Sequence, residues 1–245
     1  MKSNKKALLL TLAVILSSTS FRYRNNNEEI VETIEINDEI ESVEEPIIKH
    51  KEENTNKFIE IDKDAYLKCD TVLYSDYEYG IYEIATLETY EKVHIISQNN
   101  DLAFVKTQDG LYGFIEPTTY ELLPDNYVEV DISDQNLRVV YDNEEVMNCD
   151  VVTGNPNTPT DLGYTEILEK TYNRPLVGPT WNVPVHYFFP FNYSEEGFHD
   201  MTSRNAFGGD IYTYNGSHGC VNMSLEDAEN LDKYTEVGTK VLIHK

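Results

Sequence analysis

Cys220 is the residue whose neighbours best equip it for chemistry. It stands in Ser217-His218-Gly219-Cys220-Val221-Asn222, and a second histidine lies upstream in Gly197-Phe198-His199-Asp200. A free cysteine has a pKa of about 8.5, so a nucleophilic one needs a base, a positive group or a helix N-terminus beside it. A chain reversal can bring His199 back to Cys220, and a helix start is expected at Ser224, with Asp227 in capping position three residues on. Gly219 removes side-chain bulk next to the thiol, so the amides of Gly219 and Cys220 can face a developing oxyanion. Such a set suits acyl transfer through a thioester.

Other arrangements of the same residue types are weaker. His186, in Val185-His186-Tyr187-Phe188, is a rival base on a strand that can border the same groove. His199, His218 and Cys220 are legitimate zinc donors, but their spacing fits no zinc signature and would leave the glycine and asparagine unexplained. His50, His94 and His244 have no motif around them and read as surface or edge residues. Three cysteines are too few for a disulfide scaffold, and the odd count leaves one thiol free. Cys220 is that candidate, while Cys69 and Cys149 read as small buried apolar residues or as a pair.

The elements that must position these groups are mostly strands. From 126 to 245, alternating patterns run over Tyr127 to Ile132, Asn136 to Tyr141 and Glu145 to Thr153, with Asp142-Asn143 as a hairpin turn. Ser224 then caps a helix with an apolar stripe of Leu225, Ala228 and Leu231, and Gly238 precedes a last strand, Lys240 to His244. From 65 to 125 the texture is short β-type runs broken by Asn99-Asn100 and Asp109-Gly110, which suggests a small barrel. Residues 21–64 are rich in Glu and Asn and lack glycine, and they read as an acidic, disordered linker. Residues 1–20 carry lysines, a short apolar run and Ser17-Ser18-Thr19-Ser20, the pattern of an export signal. On that reading the folded part works outside the cytoplasm, tethered if the signal stays uncleaved.

The formal charge of −25 over 245 residues argues against a nucleic acid partner, because phosphates would repel the chain. Oligomeric state is not legible.

The Ser-His-Gly-Cys-x-Asn block with its upstream Gly-x-His resembles the YkuD-type L,D-transpeptidases of bacterial cell walls. Val152-Thr153-Gly154, Thr158-Pro159-Thr160, Gly163, Phe189-Pro190-Phe191, Arg204 and Phe207-Gly208-Gly209 extend the match over roughly 126 to 245. Residues 65–125 resemble a bacterial SH3-like domain through Leu73-Tyr74-Ser75, Ala103-Phe104-Val105-Lys106 and Tyr112-Gly113-Phe114-Ile115. The resemblance implies a mainly β chain: a YkuD-like β-sandwich with few short helices, plus a small SH3-like β-barrel that is a candidate for binding the cell wall. It implies Cys220 as nucleophile, His199 as base, and the Asp200 backbone carbonyl as the group that orients it. Ser217, His218, Gly219 and Asn222 are implied to shape the oxyanion site and groove, with Arg204 and Tyr187 as substrate-binding candidates. Trp181, Phe188, Phe189 and Phe191 read as core or groove wall.

The implied reaction needs no cofactor or metal. Cys220 attacks a peptidoglycan tetrapeptide stem, releases D-alanine and passes the acyl group to an amine, giving a 3→3 cross-link. Water as acceptor would make the chain an L,D-carboxypeptidase. A rival of another class is a wall-binding protein with a degenerate catalytic unit, against which the intact Cys220 and His199 stand.

Overall fold

The computed structural model describes residues 56–75, 82–178 and 182–245. The export segment, the linker up to residue 55 and Trp181 lie outside the described residues. The described residues form one compact unit.

Its N-terminal part runs β1 (Ile59–Leu67), β2 (Thr71–Tyr74), β3 (Glu83–Leu87), β4 (Lys92–Gln98), β5 (Ala103–Thr107), β6 (Tyr112–Ile115) and β7 (Tyr120–Leu122). These strands make a seven-stranded sheet in the order β3-β2-β6-β5-β4-β1-β7, so among the described residues the pairing is open, ending on β3 and β7. The sheet curls around Leu67, Leu73, Val93, Ile95, Val105 and Ile115, all buried. The boundary expected between 64 and 65 falls inside β1: Lys63 to Tyr66 pair continuously with Ile95 to Lys92 of β4. An irregularity between Glu60 and Lys63, with Asp62 at φ 50°, hides this strand from a reading by alternation.

The second part runs β8 (Tyr127–Asp131), β9 (Asn136–Tyr141), β10 (Glu144–Asp150), β11 (Gly163–Glu166), β12 (Thr171–Tyr172), β13 (Pro175–Val177), β14 (Asn182–Pro184), β15 (Tyr187–Pro190), β16 (Gly197–Asp200), α1 (Ile211–Asn215), β17 (Val221–Met223), α2 (Leu225–Tyr234) and β18 (Lys240–His244). Two sheets result, β10-β9-β8-β18-β11 and β12-β15-β16-β17, with β13 and β14 as a separate hairpin. The described residues are mainly β with two short α-helices, as expected. Asp142 and Asn143 have φ of 53° and 63°, the left-handed pair that a two-residue hairpin turn requires.

One core joins the two sheets: Val128, Val130, Leu137, Val139, Val241 and Ile243 meet Phe189, Phe191, Phe198, Val221 and Met223. Helix α2 closes its end with Ala228 and Leu231, and Ser224 caps it by accepting the Asp227 N–H at 3.0 Å. Leu225, expected in the stripe, is instead exposed: as the first residue of the helix it precedes the turn that packs.

Strand β8 is buried on both faces. Val128 and Val130 point into the core between the sheets, while Tyr127 joins Tyr66, Leu123 and Leu242 in a second cluster against the N-terminal part. On this second face Glu129, 1% exposed, accepts from Lys92 Nζ at 2.5 Å, Arg138 Nη1 at 3.0 Å, His244 Nε2 at 3.0 Å and Gln108 Nε2 at 3.1 Å. His244 is thus no edge residue: β18 lies between β8 and β11, so both its edges are paired, and the side chain is buried. His94 sits between the carboxylates of Asp62 and Asp64. Cys69 is exposed rather than buried, since it lies in the turn after β1, and all three cysteines are free thiols.

Candidate active site

Strands β16 and β17 run parallel, with Phe198 opposite Val221, His199 opposite Asn222 and Asp200 opposite Met223. Partnered residues leave a sheet on the same side and successive residues on opposite sides. Phe198, Val221 and Met223 therefore turn into the core, while His199 and Asn222 share the other face. Cys220 stands just before β17, two residues ahead of Asn222. Its thiol points toward the Glu195 carbonyl at 3.9 Å and receives the Gly197 N–H.

His199 is 5% exposed, and its Nδ1 lies 2.9 Å from the Asp200 carbonyl oxygen. A carbonyl only accepts, so Nδ1 carries the proton and Nε2 is left as the basic nitrogen. Asp200 does a second job with its buried side chain: it accepts from His186 N at 2.7 Å, Tyr187 N at 2.8 Å and His186 Nδ1 at 2.8 Å. Through these bonds it ties the start of β15 to β16, and it occupies His186.

The loop that delivers Cys220 is held from below. Ser217 Oγ donates to the Cys220 carbonyl at 2.5 Å and accepts the Gly219 N–H at 3.0 Å. Thr160 Oγ1 accepts Gly154 N–H at 2.9 Å and donates to the Gly219 carbonyl at 2.8 Å. The Ser217 carbonyl accepts from Asn155 N, Asn155 Nδ2 and Thr158 Oγ1. The segment from Val152 to Thr160 is thus the seat of the cysteine loop, with Gly154 so close that a methyl there would stand 2.2 Å from the Thr158 carbonyl oxygen. Gly219 has φ +115°, a conformation that disfavours any side chain.

Three expectations change. The Gly219 amide is taken by Ser217 Oγ, so of the two proposed oxyanion donors only the Cys220 amide remains a candidate. Helix α2 begins after β17, a strand's length beyond the thiol, so its N-terminus does not stabilise a thiolate. Tyr187 stands on the core face with Phe189, stacked edge-on against Phe189 and Tyr172; the β15 residue on the His199 face is Phe188, its partner in the ladder, with ring centroids 6.5 Å apart. A one-residue difference in register decides between the two aromatics.

Arg204 follows β16 in a turn closed by its own N–H on the Met201 carbonyl. Its Nε and Nη1 are buried without a hydrogen-bond partner, and its charge acts on His199. Asn222 Oδ1 is likewise buried and unpartnered. His218 is exposed beside the buried Ser217 and Gly219.

Burial, with Glu196 and Glu195 close by, pushes the Cys220 thiol up to about 11 against the opposing Gly197 N–H. Burial pushes His199 below the usual histidine range, Arg204 adds to this, and the Asp200 carbonyl opposes it. The pair in the free protein is therefore a neutral thiol and a neutral imidazole. Among the described residues no group of three or more His, Cys, Asp or Glu could hold a metal ion.

The described residues thus present a cysteine at the entry to one parallel strand and a carbonyl-oriented histidine on the other. Residues 125–243 match the YkuD family, the L,D-transpeptidase catalytic domain, and through this domain the chain belongs to the L,D-transpeptidase family. The structure of the Ldtfm–avibactam carbamoyl enzyme is similar at 23% identity and a TM-score of 0.50, over 73% of this chain and 74% of that one. That likeness extends into the β-rich N-terminal part. The catalytic domain of an Enterococcus faecium L,D-transpeptidase, solved by NMR, is 31% identical over 50% of this chain and 98% of that one, with a TM-score of 0.47. A Stackebrandtia nassauensis L,D-transpeptidase is 27% identical over 50% and 56% of the two chains, with a TM-score of 0.42. No curated protein matches the chain by sequence.

Proposed function

We propose that the chain is an exported peptidoglycan L,D-transpeptidase that forms 3→3 cross-links through a Cys220 thioester. The observation that carries this reading is the His199 Nδ1 bond to the Asp200 carbonyl, which leaves Nε2 as the basic nitrogen on the strand that pairs with β17, the strand Cys220 leads into.

In the first step His199 Nε2 takes the thiol proton as the sulfur attacks the carbonyl of the third residue of a tetrapeptide donor. The C–N bond to D-alanine then breaks, and His199 returns the proton to the leaving amine. In the second step the side-chain amine of an acceptor stem attacks the thioester, its proton passes by His199 to the departing sulfur, and the C–S bond breaks. With a thiol near 11 the proton must leave as the sulfur attacks, which makes the positioned base the main chemical device rather than a resting thiolate. Ser217 and Thr160 fix the loop, the Cys220 amide and His218 serve the oxyanion side, and Asn222 braces the groove floor. Arg204, with two buried unpartnered nitrogens, holds the donor's terminal carboxylate, because a guanidinium left unpaired under cover is costly until an anion meets it. The N-terminal β part, SH3-like by sequence, is a module for holding the wall.

Incubation with defined muropeptides, with products weighed by mass spectrometry, tests the proposal. Dimers joined 3→3 and free D-alanine are expected; tripeptide alone would instead indicate an L,D-carboxypeptidase, and unchanged muropeptides would overturn the assignment.

A further inference from the structure

Glu196 is a carboxylate beside the nucleophile that the first half of the reaction does not need. Its backbone is pinned: Phe191 N donates to the Glu196 carbonyl at 2.9 Å, and Glu196 N donates to Asn192 Oδ1 at 3.0 Å. Its Oε2 accepts from Asn192 Nδ2 at 2.9 Å and from Asp161 N at 3.1 Å. The other oxygen, Oε1, lies against Gly219, so close that a methyl on Gly219 would stand 2.2 Å from it.

Such a placement works against acylation, because a negative charge near the sulfur disfavours the thiolate, and Glu196 raises the Cys220 pKa more than any other charged neighbour. Arg204, by contrast, acts on His199 and not on the thiol, and it is the residue assigned above to the donor carboxylate. The site is therefore acidic where the sulfur sits and basic toward the histidine. The second substrate of a transpeptidase is an amine, which is an ammonium at neutral pH. It must approach the thioester carbonyl at the sulfur, which is where the negative group stands.

We propose that Glu196 is the positioning residue for the acceptor, pairing through Oε1 with the side-chain ammonium of the incoming stem peptide beside the Cys220 thioester. This rests on the transpeptidase reading of the site. Glu196 concentrates and aligns the cation; one proton leaves to solvent to free the nitrogen lone pair. The N–C bond then forms as the C–S bond breaks, the second amine proton passing through His199 to the sulfur. The carboxylate thereby biases the thioester toward amine over water.

The direct test is binding. Cys220→Ala protein, titrated with an acceptor stem peptide bearing a free side-chain amine, should bind it about 10-fold more tightly than the same peptide N-acetylated on that amine. Adding Glu196→Gln should remove that preference, and Glu196→Asp should keep part of it. No preference in Cys220→Ala, or one that survives Glu196→Gln, overturns the inference. The partition of the acyl-enzyme gives a second reading: the ratio of cross-linked dimer to tripeptide at fixed acceptor should fall about 10-fold in Glu196→Gln, a change that a merely structural glutamate would not produce. Absence of D-alanine release by the unmodified protein would sink the transpeptidase reading itself, and leaves the binding titration to decide the role of Glu196.

Discussion

His199 and Asn222 are partners across the parallel β16–β17 pair, and this single register sets the histidine beside the strand that Cys220 leads into. A one-residue shift of β16 would turn the imidazole into the core and bring Phe198 to the groove, and one of β17 would turn Asn222 inward in place of Val221. The register is protected on both sides. Phe198 and Val221 are fully buried on the core face, and Asp200 binds the β15 backbone next door.

Cys220→Ala should leave the fold intact and abolish D-alanine release from tetrapeptide stems. His199→Ala should lower the same rate by about 10²- to 10⁴-fold, the usual worth of a positioned general base. Release measured by coupled oxidation of D-alanine checks both, and turnover retained in Cys220→Ala refutes the nucleophile.

Thiol reactivity should carry the mark of a raised pKa. At pH 7 a group titrating near 11 is thiolate in roughly one molecule in 10,000. Alkylation of Cys220 by iodoacetamide should therefore climb about 10-fold per pH unit between pH 7 and 10. Cys69 is exposed, and its labelling in the same sample controls for reagent access. A plateau for Cys220 near neutral pH, the sign of a preformed ion pair, would contradict the neutral pair.

Gly219→Ala should be severely damaging. A methyl there meets Glu196 Oε1 at 2.2 Å and Glu196 Cδ at 2.7 Å, on a backbone at φ +115°. Strain of this kind costs on the order of 1–3 kcal/mol and moves the loop that bears the nucleophile. Thermal denaturation should show the loss of stability, and D-alanine release should fall at least as steeply as in His199→Ala.

Arg204→Gln should raise KM for a tetrapeptide donor with a free terminal carboxylate by about 10- to 100-fold, the worth of one charge-assisted bond. A donor amidated at its C-terminus should be handled alike by both proteins. Equal KM values for the acid in both would remove Arg204 from the site.

Acid stability should report on Glu129. Burial pushes its carboxyl up, but His244 and Lys92 more than offset this and hold it at about 2. A folded pKa below the unfolded value contributes stability that is complete above about pH 4.5 and is lost as pH falls toward 2. His244 is displaced the other way by the same contact: burial lowers it, and Glu129 raises it further. Its contribution is complete below about pH 6.5 and is lost as pH rises through its elevated folded value. Denaturant titrations of Glu129→Gln should show a lower midpoint at pH 6 and a shallower decline between pH 4.5 and 2. An unaltered acid limb would deny the carboxylate this role.

The sequence spoke most clearly where a residue type has one physical use. Asp142-Asn143 reads as a tight turn because few other pairs tolerate two positive φ angles, and Ser224 with Asp227 reads as a cap. The cysteine loop reads as a site because Gly219, His218 and the upstream His199 have no joint role in a core. Signals that depend on distant partners were mute. Whether Tyr187 or Phe188 faces His199 is fixed by pairing with β16, and both residues suit a strand. His244 looked peripheral because its partner, Glu129, lies at the far side of the domain in sequence. Glu196 carried no signal in an acidic chain, where one more glutamate is unremarked until its oxygen is seen against Gly219.

Strand β8 has no outer side. A chain cut near residue 125 would present Tyr127, Glu129, Leu242 and His244 to water and strip Glu129 of Lys92 and Gln108. The N-terminal strands thus supply part of the catalytic half's interior, and heat should melt 56–245 in one step. A module put in its place would have to offer a cation to Glu129 and an acceptor to the Tyr127 hydroxyl.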